Sequence, residues 1–520
     1  MYWCKIARTD KEFDEIAKLN YKTFVEEIPQ HLPNEHKRLV DRFHSENTYL
    51  LVYKNTEMVG MLAFRDQRPF SLDEKIGKVE LFLEKEDSDK LCEIRLLAVK
   101  KEFRNGRVFN QLAKAIYSYV YDRGYTAAVI SGIKREKKLY NQLGFHQFAE
   151  EVGTEDAKFF PMILTRKNAS TMSERIRFKQ HIFYPGPVEQ EQSLTNTGTS
   201  HRSPAFFSLY SEMIGRLLEL TNAKYVTTLV GTGTLANEVM LGQMKADFKK
   251  SKGLMITNGE FGERLIRQAK NWDLNYDICS YKWGESFNLL EIEQNLWTGN
   301  YRWICFVHGE TSTGVCNDLS PIFHLAKKYD IKVCVDCISS FGSLPFSMEQ
   351  LYLATAVSGK SLGAISGLAF VFSNEIPQKN NAPLYVNLAH YFNNFLPSTM
   401  PAYMVANLVL KLKEYPERFE LLKARMELLL KSPFSQYSIG QTTTYPMIIT
   451  MKLPQELQYF SDDAKLNGLL LHDESKYLKK HELSQVSVIS LNFETAFEKL
   501  KVLYESYLEI ASLDMPYYQK

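Results

Sequence analysis

Between Tyr301 and Asp336 the spacing of apolar positions changes twice. Tyr301 to Val307 is an almost continuous apolar run, the form of a buried strand, and the polar turn His308-Gly-Glu-Thr-Ser-Thr-Gly314 follows it. Leu319 to Tyr329 then repeats apolar residues at helical spacing, and Ile331 to Val335 is a second apolar run ending on Asp336. Strand, helix and strand at this spacing predict a right-handed βαβ crossover. Upstream, Tyr225 to Val230 reads as a short strand, and Gly231-Thr-Gly-Thr234 leads into a helix from Leu235 to about Lys249. Downstream, Ala354-Thr-Ala-Val-Ser-Gly359 ends at Lys360, before a strand-like run from Gly367 to Phe372. Open parallel sheets bind ligands beyond the carboxyl ends of their strands, so the turn at 308–314, Asp336 and Lys360 are expected to converge on one crevice.

The first 165 residues carry a different pattern. Thr48 to Tyr53 and Glu57 to Phe64 read as a hairpin, Cys92 to Val99 as a strand, Val108 to Arg123 as a helix and Ala127 to Ser131 as another strand. The stretch from Arg166 to Arg175 is polar and aperiodic, a linker signal. After Pro401 helices are predicted at Tyr403 to Leu412 and Glu417 to Leu430, then short strands and a last helix from about Thr495 to Ile510. The expected organisation is α/β throughout: domain 1–165, linker 166–180, large domain 181–400 and small domain 401–520.

Composition narrows the class. At 520 residues, with 63 basic and 61 acidic side chains and a formal net charge of +2, the chain suits a large enzyme and carries no nucleic-acid or polybasic membrane signature. It has no apolar run of the ~18 residues a membrane span needs. The residues from Met1 to Asp10 lack the form of a signal peptide, so a cytoplasmic location is expected. Seven cysteines are too sparse for a disulfide scaffold. Cys334-Val-Asp-Cys337 straddles the strand bearing Asp336 and has no second ligand pair, which favours packing over metal binding, and no metal site is expected. The sequon Asn168-Ala-Ser170 has no secretory context.

The chemistry follows from the convergent residues. Glycines before a helix start make an anion site, because unpaired N–H groups and the positive end of the dipole face one point. A phosphate cradle, a carboxylate for a ring nitrogen and a lysine for a Schiff base together match pyridoxal phosphate. Each part has a plainer reading. Asp336 suits a helix cap and Gly231-Thr-Gly-Thr234 an ordinary turn, whereas a nucleotide P-loop ending at Gly359-Lys360-Ser361 would need glycine where Ala354 stands.

From Tyr184-Pro-Gly-Pro187 to about Pro401 the chain resembles class V aminotransferases of the fold-type I pyridoxal-phosphate superfamily, near the alanine–glyoxylate and 2-aminoethylphosphonate–pyruvate enzymes. The matching segments are His201-Arg-Ser203, Gly231-Thr-Gly-Thr234, Asn258-Gly-Glu-Phe-Gly-Glu-Arg264, His308 to Gly314, Val335-Asp336 with Ser339-Ser340, and Lys360. The resemblance implies that Thr232, Gly233 and Thr234 lie at the phosphate and that Phe261 stacks on the pyridine ring. It places Thr311 at the ring hydroxyl, Asp336 at the ring nitrogen and Lys360 as the imine lysine. Thr399, before Met400-Pro401, would reach the phosphate of a neighbouring subunit, which implies a homodimer. Such enzymes usually carry an arginine near the C-terminus that forks onto the substrate carboxylate. The run Gln485 to Leu491 has none, and Arg425 is the last arginine of the chain, leaving His472, Lys476, His481 and Arg202 as alternatives. No cysteine follows Cys337, unlike cysteine desulfurases of the same class.

The first 165 residues resemble the GNAT acyltransferase fold, through Leu97-Ala-Val99 and the segment Tyr140 to Phe145, and within it N-acyl amino acid synthases, through Asn20-Tyr-Lys-Thr-Phe24 and Asp41-Arg-Phe43. The resemblance implies acyl-CoA or acyl-ACP as cosubstrate, and so acyl carrier protein as a partner. The donor would be held at Val99, Arg104, Gly106 and Arg107, with Glu93 and Tyr140 as catalytic base and acid. Arg104-Asn-Gly-Arg-Val-Phe109 puts Arg107 and Phe109 where the usual pyrophosphate turn has small residues. The expected whole is a bifunctional enzyme acting on small amine and keto substrates, combining transamination with N-acyl transfer. The alternative is a lyase or decarboxylase with a non-catalytic acyl-carrier-binding module.

Overall fold

The computed structural model describes residues 1–154, 157–169, 177–190, 199–394, 396, 398–440 and 445–514. The middle of the expected linker, 170–176, and with it Ser170 of the sequon, lies outside the described residues. Among the described residues no helix is long and apolar enough to cross a membrane.

The chain forms two compact units. One comprises Met1–His181, Glu456–Leu470 and the residues from Ala496; the other comprises Ile182–Gln455 and Leu471–Thr495. The stretch expected as one small C-terminal domain is therefore divided between them. Polar side chains do this. Asn467 accepts from the N–H of Cys4 at 2.9 Å and donates to its carbonyl at 2.8 Å, replacing a neighbouring strand along the edge strand Tyr2–Ile6. Asp463, fully buried, accepts from the N–H of Ile6 and pairs with both terminal nitrogens of Arg8, at 2.7 and 3.2 Å.

The first unit is built on a mixed eight-stranded sheet, along which Tyr2–Ile6, Thr48–Lys54, Glu57–Arg65, Leu91–Val99, Ala127–Ile133, Ala157–Thr165 and His146–Gln147 follow one another. Helix Arg107–Asp122 buries Val108, Leu112, Ala115 and Ile116, each large side chain contributing about 1.5–3 kcal/mol. Leu91–Val99 and Ala127–Ile133 run parallel but pair only at Leu91/Ala127, Cys92/Ala128 and Glu93/Val129. Leu96 then takes φ +54°, where the register against Glu57–Arg65 shifts. This is a bulge, which bends the strand and leaves the two strands splayed.

The second unit centres on a seven-stranded sheet in the order Tyr225–Val230, Leu368–Ser373, Leu353–Val357, Lys332–Asp336, Trp303–Val307, Gly253–Thr257 and Tyr276–Ser280. Leu368–Ser373 runs antiparallel to both its neighbours, and the other pairings are parallel. Both faces are covered. Ile304, Phe306, Val333 and Val335 join one core, while Trp303, Cys305, Val307 and Cys334 join the other. A strand buried on both faces needs no polar alternation, which is why these runs are continuously apolar. Cys334 and Cys337 pack into opposite cores. Helix Leu319–Tyr329 starts at Asp318, whose side chain accepts from the N–H of Ser320, and stops at Asp330 in the left-handed region at φ +53°.

Candidate functional site

In the second unit the expected residues meet at the carboxyl edge of the sheet. Asp336 closes its strand and is buried, its oxygens accepting from Asn237 Nδ2 at 2.7 Å and the N–H of Ile338 at 2.9 Å. Asn237 in turn accepts from Thr355 on the adjacent strand at 2.8 Å, so the carboxylate is fixed from two sides. Burial pushes the Asp336 carboxyl up, against the pull of Asn237, the Ile338 N–H, Lys360 and Arg264. Lys360 follows the neighbouring strand with φ +53°, an uncommon backbone for a residue with a side chain. Its Nζ donates to Ser339 Oγ at 2.8 Å, and that oxygen also accepts from Thr311 at 2.5 Å. Burial lowers the Lys360 ammonium to about 8, opposed by Asp336 and Glu310. Its Nζ lies 5.6 Å from the centre of the Phe261 ring.

The Gly231-Thr-Gly-Thr234 turn starts a 16-residue helix, Gly233–Phe248, whose N-cap Thr232 makes no side-chain capping bond. Thr232 and Thr234 are exposed beside it. Gly233 packs so closely on the residue following Cys337 that a Cβ there would lie 2.5 Å from Ile338 Cδ1. These residues fit pyridoxal phosphate: an uncapped helix start for the phosphate, a ring beside the lysine, and a fixed carboxylate beyond it. Thr399 is exposed.

Several participants escaped the sequence reading. Glu310 is fully buried and takes bonds from the N–H groups of Phe261, Gly262 and Ser312, holding the Phe261 helix start against the turn. Burial raises its pKa and lowers that of His308 to about 4, leaving the imidazole neutral at pH 7. Arg264 lies one turn after Phe261, with its guanidinium carbon 4.9 Å from that ring, and acts electrostatically on both Asp336 and Lys360. The motif Asn258 to Arg264 contained it, but only the fold brings its charge to the site.

The cations offered as carboxylate clamps, and the later arginines Arg418 and Arg425, are placed unevenly. Arg425 is buried and committed to the carbonyls of Val488, Ser490 and Leu491 and to Glu494. Arg418 donates to the carbonyl of Ser361 at 2.6 Å. Lys476 and Arg202 are exposed, and His481 stacks on Trp283 at 4.1 Å. His472 stands nearer, 5.1 Å from the Tyr184 ring, with its pKa lowered by burial and by Lys360.

In the first unit the splayed strands enclose a cavity of about 1150 Å³, lined by Val99, Arg104, Gly106 and Tyr140 among others. Gly106 caps the helix at Arg107–Asp122 with φ +82° and no side-chain bond to the helix start. Arg104 donates to the carbonyl of Val99 at 2.8 Å and pairs with Glu27, bracing this turn, while Arg107 is exposed. Tyr140 is half-buried at the cavity wall. Glu93 departs from expectation. Its carboxylate, 1% exposed, accepts from Ser71 N–H at 2.8 Å, Ser71 Oγ at 2.5 Å and Leu72 N–H at 3.1 Å. A carboxylate so engaged positions the loop at Ser71 and is poorly suited to removing a proton from a substrate.

Comparison with known proteins agrees with both halves. Residues 15–168 match the family model described as N-acyl amino acid synthase FeeM, and residues 188–387 match that of aminotransferase class-V. The 2-aminoethylphosphonate–pyruvate transaminase of Bacillus mycoides is 30% identical over 174 residues, covering 32% of this chain and 47% of that protein. Its Pseudomonas putida (strain W619) counterpart is 23% identical over 321 residues, 55% of this chain and 86% of that one. The chain thus spans about half the length of the first curated relatives it matches. Two solved structures share the fold: a ureidoglycine–glyoxylate aminotransferase from Bacillus subtilis, with TM-score 0.55, 19% identity and coverage of 65% of this chain and 95% of that one, and a subgroup IV aspartate aminotransferase from Thermus thermophilus, with TM-score 0.53, 21% identity and coverage of 60% and 93%. The chain therefore carries an N-acyl amino acid synthase domain at its N-terminal end and a class V aminotransferase domain in its C-terminal part.

Proposed function

We propose that the protein is bifunctional: the class V domain transaminates with pyridoxal phosphate, and the N-terminal domain transfers an acyl group from a thioester to an amine. The observation that carries the first half is the meeting of Asp336 and Lys360 at the ends of adjacent parallel strands, one buried and clamped, the other lowered to about 8. Bound there, pyridoxal phosphate supplies an electron sink for the bond broken at the substrate carbon. Asp336 holds a proton on the ring nitrogen. Phe261, whose ring lies near Lys360, would lie against the cofactor ring, and Thr311 and Ser339, bonded to each other and to Lys360, would hold its hydroxyl and steer the lysine. Lys360, lowered to about 8 by burial, would be the group that takes a proton from the substrate carbon. Because Arg418 and Arg425 are committed to backbone carbonyls, Arg264 is the cation we assign to an anionic group on the amine. The resemblance of Thr399 and its exposure favour sharing of sites in a homodimer.

In the N-terminal domain, the helix start at Gly106 holds the donor phosphates of acyl-CoA or acyl-ACP, and the apolar cavity takes the acyl chain. Tyr140 protonates the departing thiolate. The missing C-terminal arginine also favours a second reading, in which the class V domain acts as a decarboxylase or lyase.

Mass spectrometry of products, with amino donors, keto acids and acyl thioesters offered together, separates these readings. The expected result is a new amino acid formed from the keto acid, together with an N-acyl amine. Release of carbon dioxide without amino transfer would establish the decarboxylase instead, and donor binding without acylation of any amine would reduce the N-terminal domain to a binding module.

A further inference from the structure

Ser339 is fully used as an acceptor. A hydroxyl offers two lone pairs and one hydrogen, and both lone pairs of Ser339 Oγ are taken, by Lys360 Nζ at 2.8 Å and by Thr311 Oγ1 at 2.5 Å. Its own hydrogen therefore needs an acceptor. Ser339 is buried, so the protein has to supply one.

Tyr445 stands at that point. The residue is 1% exposed, and its Oη makes no hydrogen bond among the described residues. Burial pushes its pKa far up, so the phenol stays un-ionised and can both donate and accept. Ser339 and Thr311 ease that rise from beside the hydroxyl, yet neither is aligned to complete a bond with it. The fold makes room for the ring: a Cβ on Gly309, in the same turn as Thr311, would lie 2.8 Å from Tyr445 Cε2 and Cζ and 2.9 Å from Oη. A buried hydroxyl without a partner is costly, and such a group in a folded protein calls for a reason.

Lys360 supplies the reason. While charged, the lysine can only donate, so Ser339 must pass its hydrogen on; once neutral, the lysine has a lone pair that accepts from Ser339, and the direction of the bond reverses. We propose that Tyr445 is a positioning residue for Lys360: its hydroxyl accepts from Ser339 while the lysine is charged and donates to Ser339 when the lysine is neutral, so that both forms are held in one place. A lysine that takes a proton from a substrate carbon passes through both forms. Asp336 and Glu310 favour the charged lysine, Arg264 opposes it, and His472 lies within electrostatic reach of it. Cys316 and Asp336 face Tyr445 in the same way.

The test follows Lys360 without cofactor, so that it can fail separately from the proposed function on which the inference rests. Cofactor-free full chain is treated with a trace of acetic anhydride across a pH series, and acetylation of the Lys360 peptide is read by mass spectrometry, giving the pH at which half of the lysine is neutral. Tyr445→Phe leaves one hydroxyl hydrogen of the Ser339–Thr311 pair without an acceptor only in the charged state. Its midpoint is expected about 0.5–1 pH unit below wild type, the scale of one net hydrogen bond. Ser339→Ala should lower the midpoint as well, and adding Tyr445→Phe to it should lower it no further. A tyrosine that only packs would change the melting temperature and leave the midpoint in place. An unchanged or raised midpoint in Tyr445→Phe, or an equal further drop in the double variant, would overturn the inference; should Tyr445→Phe fail to fold, an unchanged midpoint in Ser339→Ala would do so. The expected shifts in a chain that binds no pyridoxal phosphate would leave Tyr445 in its role and remove the proposed function.

Discussion

Asp336→Asn is expected to retain pyridoxal phosphate but to turn over amine roughly 10²–10³-fold more slowly. Asp336 is bonded to Asn237 and the N–H of Ile338 and not to the helix start at Gly233 or to Phe261, so the cofactor is expected to remain bound. In the proposed reading the buried carboxylate would stabilise a proton on the ring nitrogen, and the amide could not. That charge matters most when electrons from the broken bond reach the ring, so the penalty falls on the rate rather than on binding. Cofactor content by absorbance and single-turnover rates measured side by side check this. Turnover near wild type with full cofactor content would remove Asp336 from its assigned role.

The second large effect is on folding. Asp463→Ala is expected to destabilise the first unit by about 3–5 kcal/mol, the typical result of removing one partner from a buried ion pair. Arg8 would lose its bidentate partner and Ile6 its acceptor in one step. Asp463→Asn should cost less, because an amide oxygen can still accept from Ile6. Hydrogen exchange of the amides in Tyr2–Ile6, in the full chain, reports the effect locally. Unchanged protection in Asp463→Ala would show that the 456–470 segment is not what completes this unit.

That contact also marks a limit of the sequence. Helix Leu319–Tyr329 and strand Tyr225–Val230 were legible because their burial follows local periodicity, and their ends coincide with the structure. Asp463 and Asn467 are more than 450 residues from their partners, and nothing in the local pattern marks them as replacing a strand. The expected strand Gln485 to Leu491 is shorter, Ser484–Ser487, because Arg425 takes the carbonyls of Val488, Ser490 and Leu491 that a ladder would use. Lys360, Asp336 and the helix start at Gly233 were legible as groups placed at the ends of strands of one sheet. Glu93 misled, since a carboxylate on a central strand looks catalytic until the loop donors at Ser71 and Leu72 are seen. Arg264 acquires meaning only from what the fold brings beside it.

In the function proposed above, Lys360 is the residue that holds pyridoxal phosphate covalently. The most direct measurement is reconstitution of cofactor-free full chain with pyridoxal phosphate across a pH series, followed by borohydride reduction and peptide mapping. The attacking amine must be unprotonated. Since burial lowers Lys360 to about 8, the reconstitution rate should climb as pH rises towards 8 and level off above it. A pyridoxyl group is expected on the peptide containing Lys360 and is expected to be absent from Lys360→Ala. Labelling of a different lysine, or equal labelling in Lys360→Ala, would contradict it.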